Sequence, residues 1–176
     1  LKAQYQKDLV VLYDEWLQYF PKTKRGVSEV GKILAIKAQA LSDYKLADDT
    51  EILKIYDDAF SRDPKSFKSP KGLYNYFKMY FKLYKAGDPN ITLEKVFDKY
   101  EELTEKFEYE MDVYTSKLDV LLKKEENSDP LTSREIRNKK VYGVNMVACN
   151  TYLNNLNAII AKESTCENLI PLYRKN

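Results

Sequence analysis

The chain has 176 residues, and its 29 Lys and Arg against 27 Asp and Glu leave a net charge of +2, which argues against a dedicated nucleic-acid-binding protein with a one-sided basic surface. The sequence contains no histidine, so Ser-His and Cys-His nucleophile pairs are excluded and the commonest metal ligand is missing. No apolar run approaches the roughly 20 residues that cross a bilayer as a helix, so we predict no membrane-spanning segment.

Nearly every stretch between turn signals follows the period of an amphipathic helix. Ser28 is a candidate cap for the second helix, and Ser69-Pro70 opens the fourth, which Gly87 closes. Thr132 to Glu135 and Ser164 to Glu167 are capping-box patterns that open the sixth and seventh helices. The predicted helices cover about 3–20, 28–46, 49–62, 70–86, 92–124, 132–162 and the segment after 164.

The fifth and sixth helices are predicted to form a long antiparallel hairpin over about 92–162. Both carry apolar residues at alternating spacings of four and three, which is the seam of a helix pair. The short link between them favours antiparallel packing. The seam residues are Leu93, Phe97, Tyr100, Thr104, Phe107, Met111, Tyr114, Leu118 and Leu121 in the fifth helix, with Tyr142, Met146, Cys149, Leu153, Leu156 and Ile160 in the sixth.

A short phrase recurs along the chain as VLYDEW, KIYDDAF and KVFDKY. The three copies bring Tyr13, Tyr56 and Phe97 into register at intervals of 43 and 41 residues, and each is followed by Asp. Leu172-Tyr173 is the candidate for a fourth copy. Intervals near 40 are typical of helix-pair repeats, which bury their apolar faces by stacking.

The stretch YDDAFSRDP, with its aromatic, small residue and Asp-Pro, resembles the second helix of a tetratricopeptide repeat. Residues 28–122 are more closely similar to uncharacterised tetratricopeptide-containing proteins of Bacteroidetes-type bacteria, through KILAIKAQALSDYKL, GLYNYFKMYFKLYKAG and VFDKYEELTEKFE. The spacing exceeds the usual 34 residues of that repeat, and the long hairpin departs from it. The resemblance implies a binding scaffold, and for this bacterial group it implies export to the periplasm or cell envelope.

Chemistry-bearing residues are few, and we predict no catalytic, cofactor-binding or metal-binding residues. Cys149 lies roughly 20 Å from the end of its helix, whereas a disulfide needs Cα atoms within about 7 Å, so we expect Cys149 on the buried seam and Cys166 in a first turn without a bond between them. Partner binding is assigned to the polar faces of the second and fourth helices, at Lys37, Asn75, Lys78 and Lys82. The alternative for these four is an ordinary solvated surface.

The sequence therefore predicts an all-α, tetratricopeptide-like superhelix, organised as one repeat domain over 1–176. Helix pairs occupy about 1–91, the hairpin 92–162, and a further repeat begins in 163–176. Because the sequence starts at Leu1, we expect a fragment of a longer chain. The predicted function is a non-catalytic scaffold that binds a peptide or protein on its concave face. The alternatives are an assembly element that oligomerises through the hairpin and an accessory domain of a larger enzyme.

Overall fold

The computed structural model describes residues 1–173, with side chains described as far as residue 170, and 76% of the chain is helical. Within residues 1–173 there is no β-strand, only an isolated antiparallel bridge between Lys22 and Ser28. The all-α prediction is therefore confirmed. The described helices are α1 (Lys2–Tyr19), α2 (Val30–Tyr44), α3 (Asp49–Arg62), α4 (Pro70–Lys85), α5 (Leu93–Glu126), α6 (Ser133–Ile160) and α7 (Cys166–Tyr173).

The chain divides into two compact units, the first covering Leu1–Thr92 and the second beginning at Leu93. This division falls where the sequence predicts the start of the long hairpin. The single repeat domain over 1–176 stays a prediction.

The core of the first unit lies between α2, α3 and α4. α2 packs on α3, and both contact α4, while α1 packs on α2. Four aromatic rings fill the space between α3 and α4: Tyr56 stacks with Phe67 at 6.0 Å and with Tyr76 at 5.6 Å between centroids, and Phe60 lies 5.9 Å from Tyr76. Such ring pairs add packing energy beyond the area that they bury. The cluster therefore joins α3, the segment before α4 and α4 itself.

The end of α3 is fastened to the start of α2 through one carboxylate. Asp63 Oδ2 accepts hydrogen bonds from the hydroxyls of Ser28 at 2.6 Å and Ser66 at 2.5 Å, and Oδ1 accepts from the Ser66 backbone N–H at 3.2 Å. Gly31 N–H also points at Oδ2, at 3.4 Å. The prediction that Ser28 caps α2 is wrong: Glu29 occupies the N-cap position, without a side-chain capping bond, and the Ser28 hydroxyl donates to Asp63 instead.

Gly31 permits this close approach because it has no side chain. A Cβ atom at this position would lie 2.1 Å from the Asp63 carbonyl oxygen and 2.9 Å from that of Ala59. Both are backbone atoms, which cannot rotate away as a flexible side chain would. The first turn of α2 thus packs directly against the last turn of α3.

The capping residues predicted for α4 and α6 are confirmed. Ser69 accepts from the Gly72 N–H at 3.2 Å with Pro70 in the first turn, and Gly87 has a φ of +82° just past the helix end. At α6, Thr132 and Glu135 form a complete capping box.

Lys124 at the end of α5 donates to Glu135 at 2.7 Å and so joins the two helices of the hairpin near their turn. This bond and those from the Thr132 backbone and hydroxyl lower the pKa of Glu135 to about 2, so it stays ionised. The capping box is therefore also part of the contact between α5 and α6.

The second unit consists of α5 and α6, packed together over most of their length, followed by α7. At 1.5 Å per residue, α5 is about 50 Å long. Three predicted seam residues of α5 are buried: Phe107, Tyr114 and Leu121. The other six predicted seam residues of α5 are half-buried, and the unpredicted Val96, Leu103 and Glu110 are buried. The predicted seam of α6 is buried at Cys149, Leu156 and Ile160.

The start of α7 differs by one residue from the predicted capping box. Thr165, not Ser164, accepts from a backbone N–H, that of Asn168 at 3.3 Å, while the Ser164 hydroxyl donates to the Ile160 carbonyl. The candidate fourth repeat copy at Leu172-Tyr173 has side chains that lie outside the described residues.

Candidate interaction surfaces

Three of the four residues predicted to bind a partner are joined to other parts of the chain. Lys37 Nζ lies 2.5 Å from Asp14 of α1, and Lys82 Nζ lies 2.6 Å from Asp49 at the start of α3. The Asn75 side chain donates to Gln39 Oε1 on α2. Their role in binding stays a prediction.

The fourth of these residues, Lys78, belongs to a line of exposed lysines on α4. The helix contains no Asp or Glu. Its lysines fall on one face at 100° per residue and span about 21 Å along the axis. This α4 lysine strip consists of Lys71, Lys78, Lys82 and Lys85, all exposed.

Half-buried aromatic rings border the strip. Lys78 Nζ lies 5.6 Å from the centroid of Tyr74, and Lys85 Nζ lies 5.6 Å and 5.7 Å from Phe81 and Tyr84. A cation over a ring face is attracted by the ring quadrupole. These ring contacts hold the side chains of Lys78 and Lys85 along the helix, while Lys82 is held by its pair with Asp49.

The residues that define the repeat differ in burial. Tyr56 is fully buried in the aromatic cluster, whereas Tyr13 on α1 and Phe97 on α5 are half-buried. Burial raises the pKa of the Tyr13 hydroxyl, and so does the nearby Tyr44 of α2. Their equivalence in successive repeats stays a prediction, since Phe97 lies in the second unit.

An open apolar groove runs along the hairpin. It encloses about 610 Å³, and Tyr109, Val113, Ser116 and Val120 of α5 follow one another along it at spacings of four, three and four. Tyr109 and Val120 are each 60% exposed. The remaining lining residues, Asp112, Lys117 and Leu121 of α5 and Asn138 and Tyr142 of α6, complete what we call the hairpin groove. The hairpin groove is therefore a candidate interaction surface.

The sequence interpretation misses the hairpin groove, although its signal is present. The same helix carries two apolar stripes, and the predicted seam accounts only for the one that faces α6. The spacing of Tyr109, Val113, Ser116 and Val120 is itself a seam of about three turns on a second face of α5.

Other apolar residues are exposed on both units. On α6, Ile136, Val144 and Val147 are exposed on a face outside the groove. On α1, Tyr5, Leu12 and Tyr19 are exposed at intervals of seven residues, and Tyr5 borders a depression of about 570 Å³. The helix α1 contains no buried residue.

A charged pair is buried inside the hairpin. Lys106 Nζ lies 2.5 Å from Glu110 Oε1, and the two side chains are 9% and 5% exposed. Burial and the Glu110 charge raise the pKa of the nearby Cys149 thiol to about 11, although Lys106 lowers it. A buried neutral thiol is a poor nucleophile. The pair and the thiol therefore serve the packing of α5 against α6.

Both cysteines are free, Cys149 buried and Cys166 exposed, as the helix geometry predicts. Among residues 1–173, no three His, Cys, Asp or Glu side chains are grouped as metal ligands would be. None of the helices in that range combines the length and apolarity needed to cross a membrane, which agrees with the sequence prediction. Comparisons with protein-family models, with curated proteins and with solved structures found no match to this chain.

Proposed function

We propose that this chain is a non-catalytic scaffold for protein–protein interactions, built from tetratricopeptide-like helix pairs stacked as a solenoid. Its partner is a peptide or protein that places an acidic segment along the α4 lysine strip. The observation that carries the proposal is the strip itself, four exposed lysines on one face of a helix without carboxylates, of which Lys82 pairs with Asp49 of α3. Such a one-sided charge attracts and orients a complementary partner.

Contacts within the first unit support the stack. α1 packs on α2, α2 on α3 and α3 on α4, and α2 also touches α4. In a stacked array of helix pairs, each pair contacts its neighbours in this way. The repeated aspartates support it too, because Asp14 accepts from Lys37 on α2 and Asp57 accepts from Tyr76 on α4. In both copies the Asp that follows the aromatic residue joins its helix to a later one.

Aromatic burial favours an acidic peptide over nucleic acid. Single-stranded nucleic acid binds by stacking its bases on exposed rings as well as by phosphate contacts. On α4, Tyr76 and Phe77 are buried, and Tyr74 lies against Lys78. The half-buried rings of Tyr74, Phe81 and Tyr84 lie against the ammonium groups of Lys78 and Lys85. These ammonium groups compete with bases for the ring faces but leave exposed charge for carboxylates.

The test is a fluorescence anisotropy titration of the full chain with a fluorescein-labelled peptide of about 15 residues, half of them Glu or Asp, which spans the strip as a helix. We expect micromolar binding at about 50 mM NaCl that weakens at about 300 mM NaCl, because salt screens surface charges. The variant Lys71→Glu/Lys78→Glu should bind at least about tenfold more weakly. The control variant Lys123→Glu/Lys140→Glu changes two exposed lysines of the second unit and should bind as the wild type does.

Equal loss in both variants would show non-specific charge attraction and overturn the proposal, as would no binding at about 100 µM peptide. A labelled single-stranded oligonucleotide of similar length is titrated in parallel. Tighter binding of the oligonucleotide than of the peptide would replace the protein partner with nucleic acid.

The alternative function, assembly through the long hairpin, is favoured by a separate observation. The hairpin groove exposes Tyr109 and Val120 on a helix whose other apolar stripe is already buried against α6. A helix that packs on one neighbour needs only one apolar stripe. The second stripe on α5 therefore favours a second helical neighbour.

A further inference from the structure

The hairpin groove follows the heptad pattern of a two-stranded coiled coil. Val113 and Val120 are seven residues apart and take the a positions, while Tyr109 and Ser116 take the d positions. Two-stranded parallel pairs favour β-branched residues at a with Leu at d, and this stripe has the first but carries Tyr109 and Ser116 at d. The pattern extends over about two heptads, so an association built on it is weak.

Charged residues flank this stripe with opposite signs on its two sides. The g positions hold Asp112 and Asp119, and the e positions hold Glu110, Lys117 and Lys124. Glu110 is buried in its pair with Lys106, and Lys124 donates to Glu135 of α6, so Asp112 and Lys117 are the exposed pair of opposite charges that a second copy can meet. Asp112 is exposed and pairs with no cation among the described residues. Lys117 is also exposed, and its Nζ lies 5.5 Å from the centroid of the Tyr142 ring.

This arrangement of charges is complementary to itself in one orientation only. In a parallel pair, each g residue faces the e residue five positions further along the other helix, so Asp112 meets Lys117 of the second copy on both sides of the interface. In an antiparallel pair, g faces g and e faces e, which would bring aspartate against aspartate and lysine against lysine. Charges thus favour the parallel orientation and disfavour the other.

We infer that the hairpin groove is the contact surface between two copies of this chain, paired through parallel α5 helices about a two-fold axis. Tyr109, Val113, Ser116 and Val120 meet their own counterparts in the centre, and Asp112 pairs with Lys117 of the second copy at both edges. Tyr142 of α6 borders the same groove. This inference rests on the assembly alternative stated above and not on the α4 lysine strip.

Sedimentation velocity of the full chain between about 1 and 100 µM tests the pairing, with a dissociation constant expected in this range for so short a seam. The mass should rise from 20.7 kDa toward twice that value. In Asp112→Lys both edge pairs become Lys against Lys, and in Lys117→Asp both become Asp against Asp. Each variant should dimerise at least about tenfold more weakly.

Mixing the two variants restores the charges, because each copy then faces residues of opposite sign. The mixture should dimerise about as the wild type does, and so should the double variant Asp112→Lys/Lys117→Asp. Recovery of this kind also proves that the single variants are folded. A wild type that stays monomeric at about 100 µM, or single variants that dimerise unchanged, would overturn the inference.

Ser116→Cys tests the orientation, in a Cys166→Ser background that removes the exposed native thiol. Parallel pairing brings position 116 against itself, within the roughly 7 Å that a disulfide requires. Oxidation should give a covalent dimer on non-reducing electrophoresis. Val147→Cys places a thiol on an exposed face of α6 outside the groove and should give no covalent dimer. A covalent dimer from Val147→Cys but none from Ser116→Cys would refute the parallel pairing.

A second matched pair tests the apolar stripe. Val120 is 60% exposed in the groove and Val147 is 62% exposed outside it. Val120→Glu should abolish dimerisation, whereas Val147→Glu should leave it intact. Asp112→Lys should leave peptide binding on the α4 lysine strip unchanged. Peptide binding and pairing through the hairpin groove can therefore be refuted independently.

Discussion

Replacing Gly31 with Ala is predicted to destabilise the first unit strongly, although Ala is the better helix former. The added Cβ would lie 2.1 Å from the Asp63 carbonyl oxygen and 2.9 Å from that of Ala59, so the ends of α2 and α3 must separate. Overpacking of this kind costs about 1–3 kcal/mol, and the weakened Gly31 hydrogen bond to Asp63 adds about 1 kcal/mol. The gain from helix propensity is at most about 1 kcal/mol. The net loss is therefore about 1–3 kcal/mol.

The chain provides a matched control in Gly143, which lies in the middle of α6, where no atom lies within 4 Å of the place that a Cβ would take. Gly143→Ala should stabilise the protein by about 0.5–1 kcal/mol, because only the helix propensity changes. The same substitution is thus expected to act in opposite directions in the two units.

Urea unfolding followed by circular dichroism at the helical band measures both variants. For Gly31→Ala, a loss of this size lowers the midpoint by about 1–2 M, given slopes of about 1–3 kcal/mol per molar urea. Hydrogen exchange should locate the loss in peptides from α2 and α3. If Gly31→Ala unfolds within about 0.5 kcal/mol of the wild type, the close approach of Gly31 to Asp63 is wrong.

Two further predictions concern titratable groups. Burial raises the pKa of Asp63, but hydrogen bonds from Ser28, Ser66 and the Gly31 backbone lower it more, so it lies below the ordinary value of 3.8. The stabilisation from this carboxylate is complete above that value and is lost as pH falls through the lower, folded pKa. Asp63→Asn should therefore unfold about 1–2 kcal/mol more easily at pH 7, and urea titrations should show this difference shrinking below about pH 4. At pH 8, Cys166 should react at once with a chromogenic disulfide, whereas Cys149, with a pKa of about 11, should react only after urea unfolding. Immediate reaction of both thiols would contradict the packing of α6 on α5.

Local signals in the sequence predict where the helices begin and end. Ser69, Pro70 and Gly87 act through backbone geometry and hydrogen bonds within a few residues, so their effect on α4 follows from their order alone. Thr132 and Glu135 do the same for α6. These elements are confirmed because no distant part of the chain decides them.

Contacts between distant residues could not be predicted in this way. The sequence indicates Asp63 only as part of an Asp-Pro helix end, yet its carboxylate binds Ser28, 35 residues earlier. Nothing around Gly31 indicates that a backbone oxygen of α3 will occupy the space of its side chain. Both features depend on how α2 and α3 meet, which is a property of the packed unit.

The seam of α5 shows a different limit. Apolar residues spaced alternately by four and three positions drift around a straight helix by about 20° per heptad. One such repeated pattern therefore cannot identify the buried face of α5 over its length of about nine turns. Glu110 is buried there because Lys106 pairs with it one turn away. Hydrophobic patterning alone would place both residues in solvent.

The helix α1 has a consequence for the dynamics of the chain. Because it contains no buried residue and is joined to α2 by half-buried contacts and the Asp14 pair with Lys37, its release exposes little additional apolar surface. Segments of this kind open with free energies far below that of global unfolding. Fraying and proteolytic cleavage should therefore begin at α1, and the remaining helices should survive its loss.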